Sequence, residues 1–176
     1  MSDQKEKWQG RLALSTAIMA VLAALTTLYM GKYSSRAIMS QGQESDQWAY
    51  YQSKSIKEHT FEISRTQLEL QMQSQQGLSN AASEAYRTTI TRYENEIKRY
   101  ETERKKIKSD AEGIAKRKLK AQEMGGNFAY ALIFLQIALM LSSISSLTKR
   151  KYLWYIALIA NIGWVFFFTD AWLLFY

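Results

Sequence analysis

A single histidine, His59, and the absence of cysteine leave this 176-residue chain without an evident metal site or thiol nucleophile. A metal would need further ligands at fixed spacing, and none accompanies His59. Closely spaced carboxylates occur at Glu94/Glu96 and Glu101/Glu103. Acid–base catalysis requires such groups in a concave, desolvated setting. Here they sit among Arg92, Lys98 and Arg99, as the solvated flanks of a long helix would. No glycine-rich phosphate loop occurs. Neither an enzymatic activity nor a cofactor is expected.

The remaining side-chain chemistry suits contact. Trp48, Tyr50 and Tyr51, with Gln52 and Lys54, form an aromatic segment of the kind that anchors protein–protein interfaces. Packing inside the protein is the competing explanation for Trp48 and Tyr51. A second set comprises polar residues inside apolar runs: Gln136, Asn161, Ser142 and Ser146. In lipid each needs a partner. Interhelical hydrogen bonds satisfy that need, and a water-filled pore is the sharper alternative. Asp170 is expected at an outer interface among Trp172 and Tyr176.

The elements that hold these residues are legible from hydropathy. Residues 12–30, 128–147 and 153–174 each supply the roughly 20 apolar residues needed to cross a bilayer core of about 30 Å. The reading is all-α: an integral membrane protein with three transmembrane helices and a long insertion between the first and second. The divisions are a tail at 1–11, spans at 12–31, 127–147 and 153–176, an insertion at 32–126 and a basic loop at 148–152. The chain has no proline, which suits helix almost throughout. Its formal charge of +7 is interspersed with acids, so nucleic acid is not an expected partner. The bilayer is. Lys149, Arg150 and Lys151, with Lys5, Lys7 and Arg11, place the short loop and N-terminus in the cytoplasm by the positive-inside rule. The insertion then lies outside, in the periplasm if the membrane is a bacterial inner membrane.

Within the insertion, Tyr86, Ile90, Tyr93, Ile97 and Tyr100 recur at spacings of four and three. Ile107, Ala111, Ile114 and Ala121 continue the series, with Arg104 and Lys118 at the interrupted positions. This 3.5-residue repeat predicts a left-handed coiled coil. Its expected partner is the first half of the insertion, folded back at a turn over 76–80. There Gly77 suits a helix end and Ser79 or Asn80 can cap the next helix. The antiparallel hairpin so formed would reach roughly 60–65 Å. The register pairs Leu70 with Tyr86, Ile63 with Tyr93, Ile56 with Tyr100 and Ala49 with Ile107. More polar layers set Thr66 against Ile90, His59 against Ile97 and Gln52 against Arg104. A second stripe, Tyr50, Phe61, Leu68 and Met72, would remain wet and points to homo-oligomerisation. Gly125-Gly126 reads as a hinge, or as a helix stop before an Asn127 cap.

The run Trp48-Ala49-Tyr50-Tyr51-Gln52-Ser53-Lys54-Ser55-Ile56 resembles a motif of a bacterial membrane family catalogued as domain of unknown function 4337. The span from Phe128-Ala129-Tyr130-Ala131 through Leu135-Gln136-Ile137-Ala138 to the serines at 142–146 is similar to that family's second span. The resemblance covers about residues 11–60 and 126–165, and Ser53 departs from a common alanine. It implies a helical membrane protein without assigned activity and transfers no catalytic residue. The expected role is a non-enzymatic oligomeric scaffold in the membrane. The alternatives are a channel subunit, or an accessory subunit bound to another membrane protein through residues 48–54.

Overall fold

The structure, a computed structural model, describes residues 2–75 and 79–174, with side chains from residue 8 onward. The described residues form three helices: α1 (Ser2–Ser74), α2 (Asn80–Thr148) and α3 (Lys151–Leu173). Each is long and apolar enough over part of its length to cross a membrane. Absence of proline lets α1 and α2 run on without a break, because every interior amide keeps its hydrogen bond. Ser79 caps α2: its Oγ accepts a hydrogen bond from the Ala82 amide at 3.2 Å. Gly77 lies outside the described residues. The α2–α3 connection is only Lys149 and Arg150, and Lys149 takes a left-handed φ of 56° to make the turn.

The chain divides into two compact units, one of residues 1–39 with 117–176 and the other of residues 40–116. In the first unit, α1, α2 and α3 pack as three neighbours. Met19, Leu135, Ala138 and Ala157 form one buried cluster. Tyr33, Met124, Phe128 and Ala171 form another, in which the Phe128 ring stacks between Tyr29 and Tyr33 at 5.6 and 5.7 Å. Small residues set the approach of the helices. A Cβ at Gly163 would meet the Phe134 ring at 2.6 Å, and one at Gly125 would lie 3.5 Å from Ser34 Oγ. The glycine pair at 125–126 is not a helix stop. α2 continues through it, and Gly125 packs beside Ser34 of α1, where a Cβ would make ordinary van der Waals contact.

In the second unit the two long helices run antiparallel, since rising numbers on α1 contact falling numbers on α2. Lys54 pairs with Glu103, and the Phe61 ring lies against Tyr93 and Tyr100. On α2 the expected face holds: Tyr93 and Ile97 are half-buried, and Tyr100, Ile107, Ala111 and Ile114 are buried. On α1 it does not. The inward positions are Tyr51, Lys54, Glu58, Phe61, Arg65, Leu68 and Met72, each two residues beyond its expected counterpart. Ala49, Gln52, Ile56, His59, Ile63, Thr66 and Leu70 are all exposed. Two residues turn an α-helix by about 200°, so this shift presents the opposite face. The reason is chemical fit. Arg104 and the phenols of α2 find Glu58, Tyr51 and Lys54 on the chosen face, where the other offers Gln52 to Arg104 and isoleucines to the phenols.

Candidate functional site

The helix pair of the second unit builds one polar and aromatic cluster. The Arg104 guanidinium donates from Nη1 to Glu58 Oε2 at 2.7 Å and from Nη2 to the Tyr51 hydroxyl at 2.7 Å. Its carbon centre also lies 4.8 Å from the Tyr51 ring centroid. Glu58 is only 6% exposed, and Arg104 is the partner its buried carboxyl meets. Hydrogen bonding to Tyr51 first, and to Glu58 next, raises the Arg104 pKa further above its ordinary value. Nearby, Lys54 Nζ meets Glu103 Oε2 at 2.6 Å and lies 5.2 and 5.3 Å from the rings of Tyr50 and Tyr100. The hydrogen bond from Lys54 holds the Glu103 carboxyl below the usual carboxylate range. Such an arrangement holds the two helices in register.

The aromatic contact segment is split by this geometry. Tyr51 and Lys54 face α2, and Trp48 packs edge-on against Tyr51 at 5.6 Å. Tyr50 and Gln52 remain exposed and free to meet another molecule. Glu58, Glu103 and Arg104 were not candidates from sequence. Arg104 stood out only as an interruption of the heptad, and that interruption was the available signal. His59 occupies no layer between the helices: it is exposed, with Nδ1 2.8 Å from Glu62 Oε2. Among the described residues no group of three or more His, Cys, Asp or Glu converges on a point that could hold a metal ion.

Polar residues of the first unit form a ladder between α3 and α1. Trp154 Nε1 donates to Ser15 Oγ at 3.0 Å, and Trp164 Nε1 to Thr26 Oγ1 at 3.1 Å. Between them Asn161 Nδ2 reaches Met19 Sδ and the Ala157 carbonyl, each at 3.0 Å. Asn161 is thus satisfied inside the helix trio. Asn127 is no cap: its Nδ2 donates to Asp170 Oδ2 at 2.6 Å. Asp170 is 4% exposed and buried between helices. Tyr176 lies outside the described residues. Ser142 is 1% exposed, and its Oγ has no hydrogen-bond partner among the described residues. Gln136 and Ser146 are exposed, and Ser146 lines, with Ser142, a groove between α1 and α2. The structure thus brings Ser142 and Ser146 together and does not set all four polar candidates on one face.

A family model described as "Domain of unknown function (DUF4337)" matches residues 8–174, nearly the whole chain. The chain belongs to that family. The match extends through residues 61–125, so the family domain of this DUF4337 member takes in the whole second unit and most of the first. No curated protein and no solved structure matches it.

Proposed function

We propose that this DUF4337 protein is a non-enzymatic, self-associating membrane scaffold. Its three apolar helical segments cross the bilayer, and residues 32–126 form an antiparallel coiled-coil hairpin outside it. By the positive-inside rule the basic loop is cytoplasmic and the hairpin periplasmic, in a bacterial inner membrane.

The observation that carries self-association is the unpartnered stripe on α1. Ile56, Ile63 and Leu70 are 67%, 60% and 60% exposed, and exposed Ala49 extends them at the same seven-residue interval. Seven-residue recurrence is what a second helix at a shallow crossing angle recognises. It argues for a helical neighbour over an irregular one. Support also comes from Gln136, midway along an apolar segment and exposed, because an amide facing hydrocarbon favours a neighbour that can bond it.

The test exploits the lack of native cysteine. Ile63→Cys should form an intermolecular disulfide in membranes, whereas Lys98→Cys, on an exposed position of α2, should not. Ile56→Glu with Ile63→Glu should leave helicity intact and give monomers in native mass spectrometry. A wild-type protein that is monomeric in mild detergent, together with Ile63→Cys that stays uncrosslinked in membranes, would reject the scaffold. An accessory role gains from exposed Tyr50 and Gln52, and capture of one unrelated membrane protein lost in Tyr50→Ala would favour it.

A further inference from the structure

Among the described residues of the second unit, the large apolar side chains left exposed are Tyr50, Ile56, Ile63 and Leu70, all on α1. α2 turns charge outward instead, with Arg92, Lys98, Arg99, Glu101 and Lys105 exposed. The second unit of another copy can therefore offer the stripe no apolar surface except its own. A patch that meets itself does so across a two-fold axis.

The flanks of the stripe decide which way the two copies run. Gln52, His59 and Thr66 border it on one side, and Ser53, Thr60 and Gln67 on the other. All six are exposed, and none is an acid, a lysine or an arginine. Acids begin further out and on one edge only, at Glu62 and Glu69. Glu69 is offset by Arg65 of its own helix, 3.4 Å away. Glu62, which meets His59 Nδ1 at 2.8 Å, leaves that edge acidic. Two identical helices set face to face bring unlike edges together when parallel and like edges together when antiparallel. Parallel pairing lays Glu62 beside Gln67 of the other copy, whereas antiparallel pairing would set Glu62 against Glu62.

We propose that two copies in one membrane dimerise through α1, parallel and in register, with Ala49, Ile56, Ile63 and Leu70 each meeting its own counterpart. The pairing rests on the membrane-scaffold reading and gives its self-association a geometry. Copies that share one bilayer and one orientation are related by an axis along the membrane normal, so equal residue numbers stand at equal heights. The seam runs for about 32 Å along the helix. Gln52, His59 and Thr66 form layers within it, and polar layers of this kind fix register at a cost in affinity. With one large apolar residue per heptad the seam is narrow and serves a single neighbour, while the charged outer face of α2 stays in water.

Single cysteines in the full-length, otherwise cysteine-free chain test this in membrane vesicles under mild oxidation. Ile56→Cys, Ile63→Cys and Leu70→Cys should each give a disulfide-linked dimer. Crosslinking at 63 alone would overturn the parallel arrangement, because an antiparallel pair crossing there brings 56 against 70. Gln67→Lys reads the orientation independently. In a parallel pair it places a cation beside Glu62 of the other copy, twice per dimer, and should tighten dimerisation about threefold to tenfold in sedimentation. Weaker association of that variant would overturn the proposal, since cation would then face cation. A wild type that is dimeric by native mass spectrometry while none of the three cysteines crosslinks would overturn this seam and leave self-association standing. A monomeric wild type with all three cysteines uncrosslinked would remove both.

Discussion

At the scale of single residues, Arg104 decides how the two long helices meet. Its planar fork reaches Glu58 and Tyr51 at once, which a lysine ammonium on a flexible stem cannot reproduce. Glu58→Ala leaves the guanidinium with only the phenol, so unfolding of the full chain should become easier by about 1–3 kcal/mol. Circular dichroism through a thermal ramp measures this. The Lys54–Glu103 pair gives a pH dependence. The Glu103 carboxyl titrates lower in the folded protein than in the unfolded chain, so its stabilisation is complete at neutral pH. It fades as pH falls below about 4.3 and through the depressed folded value. The wild type should therefore lose more of its thermal midpoint between pH 5 and 3 than Glu103→Gln, which lacks the pair at any pH. In the other unit, Gly163→Ala drives a methyl into the side of the Phe134 ring. Overpacking of this kind costs about 1–3 kcal/mol, and a lowered midpoint with unchanged helicity at low temperature is the expected reading.

Among elements, α1 is the ambiguous one because it carries two seven-residue stripes. One is apolar, with Ile56, Ile63 and Leu70; the other mixes Phe61, Leu68 and Met72 with Tyr51, Lys54, Glu58 and Arg65. Ranking faces by hydrophobicity selects the first, and the expected register followed from that. α2 takes the second, since its own seam carries Tyr100 and Arg104. Three of the four residues expected to stay wet, Phe61, Leu68 and Met72, are thus half-buried against it, and only Tyr50 remains exposed. Cysteine pairs separate the two registers cleanly. Phe61→Cys with Ile97→Cys should crosslink within one chain, since Phe61 lies between Tyr93 and Tyr100. Ile63→Cys with Tyr93→Cys should not crosslink within a chain. The reverse result would restore the apolar register.

For the whole molecule, the inner polar ladder and the outer Gln136 have different consequences. Asn161, Trp154 and Trp164 find their partners within one chain, so their loss should destabilise a monomer and an assembly alike. The Gln136 amide is exposed, and if the proposed self-association uses it, Gln136→Leu should weaken association by about 0.6–2 kcal/mol without altering the monomer's melting. Sedimentation in detergent at varied protein concentration separates the two effects. Carbonate washing should leave the protein in the membrane pellet, as three apolar segments of spanning length require.

Length, hydropathy and the absence of proline determined by themselves that the chain is helical, that three segments can cross a bilayer, and where α2 turns its inner face. Those properties are local: each depends on the composition and period of one continuous stretch. The choice between the two faces of α1, the passage of α1 beside Gly125, the burial of Asp170 with Asn127 and the unmet hydroxyl of Ser142 were left to the tertiary structure. Each is a fit between residues more than 40 positions apart in the chain, where hydrogen bonds and shape outweigh the hydrophobicity of either side alone.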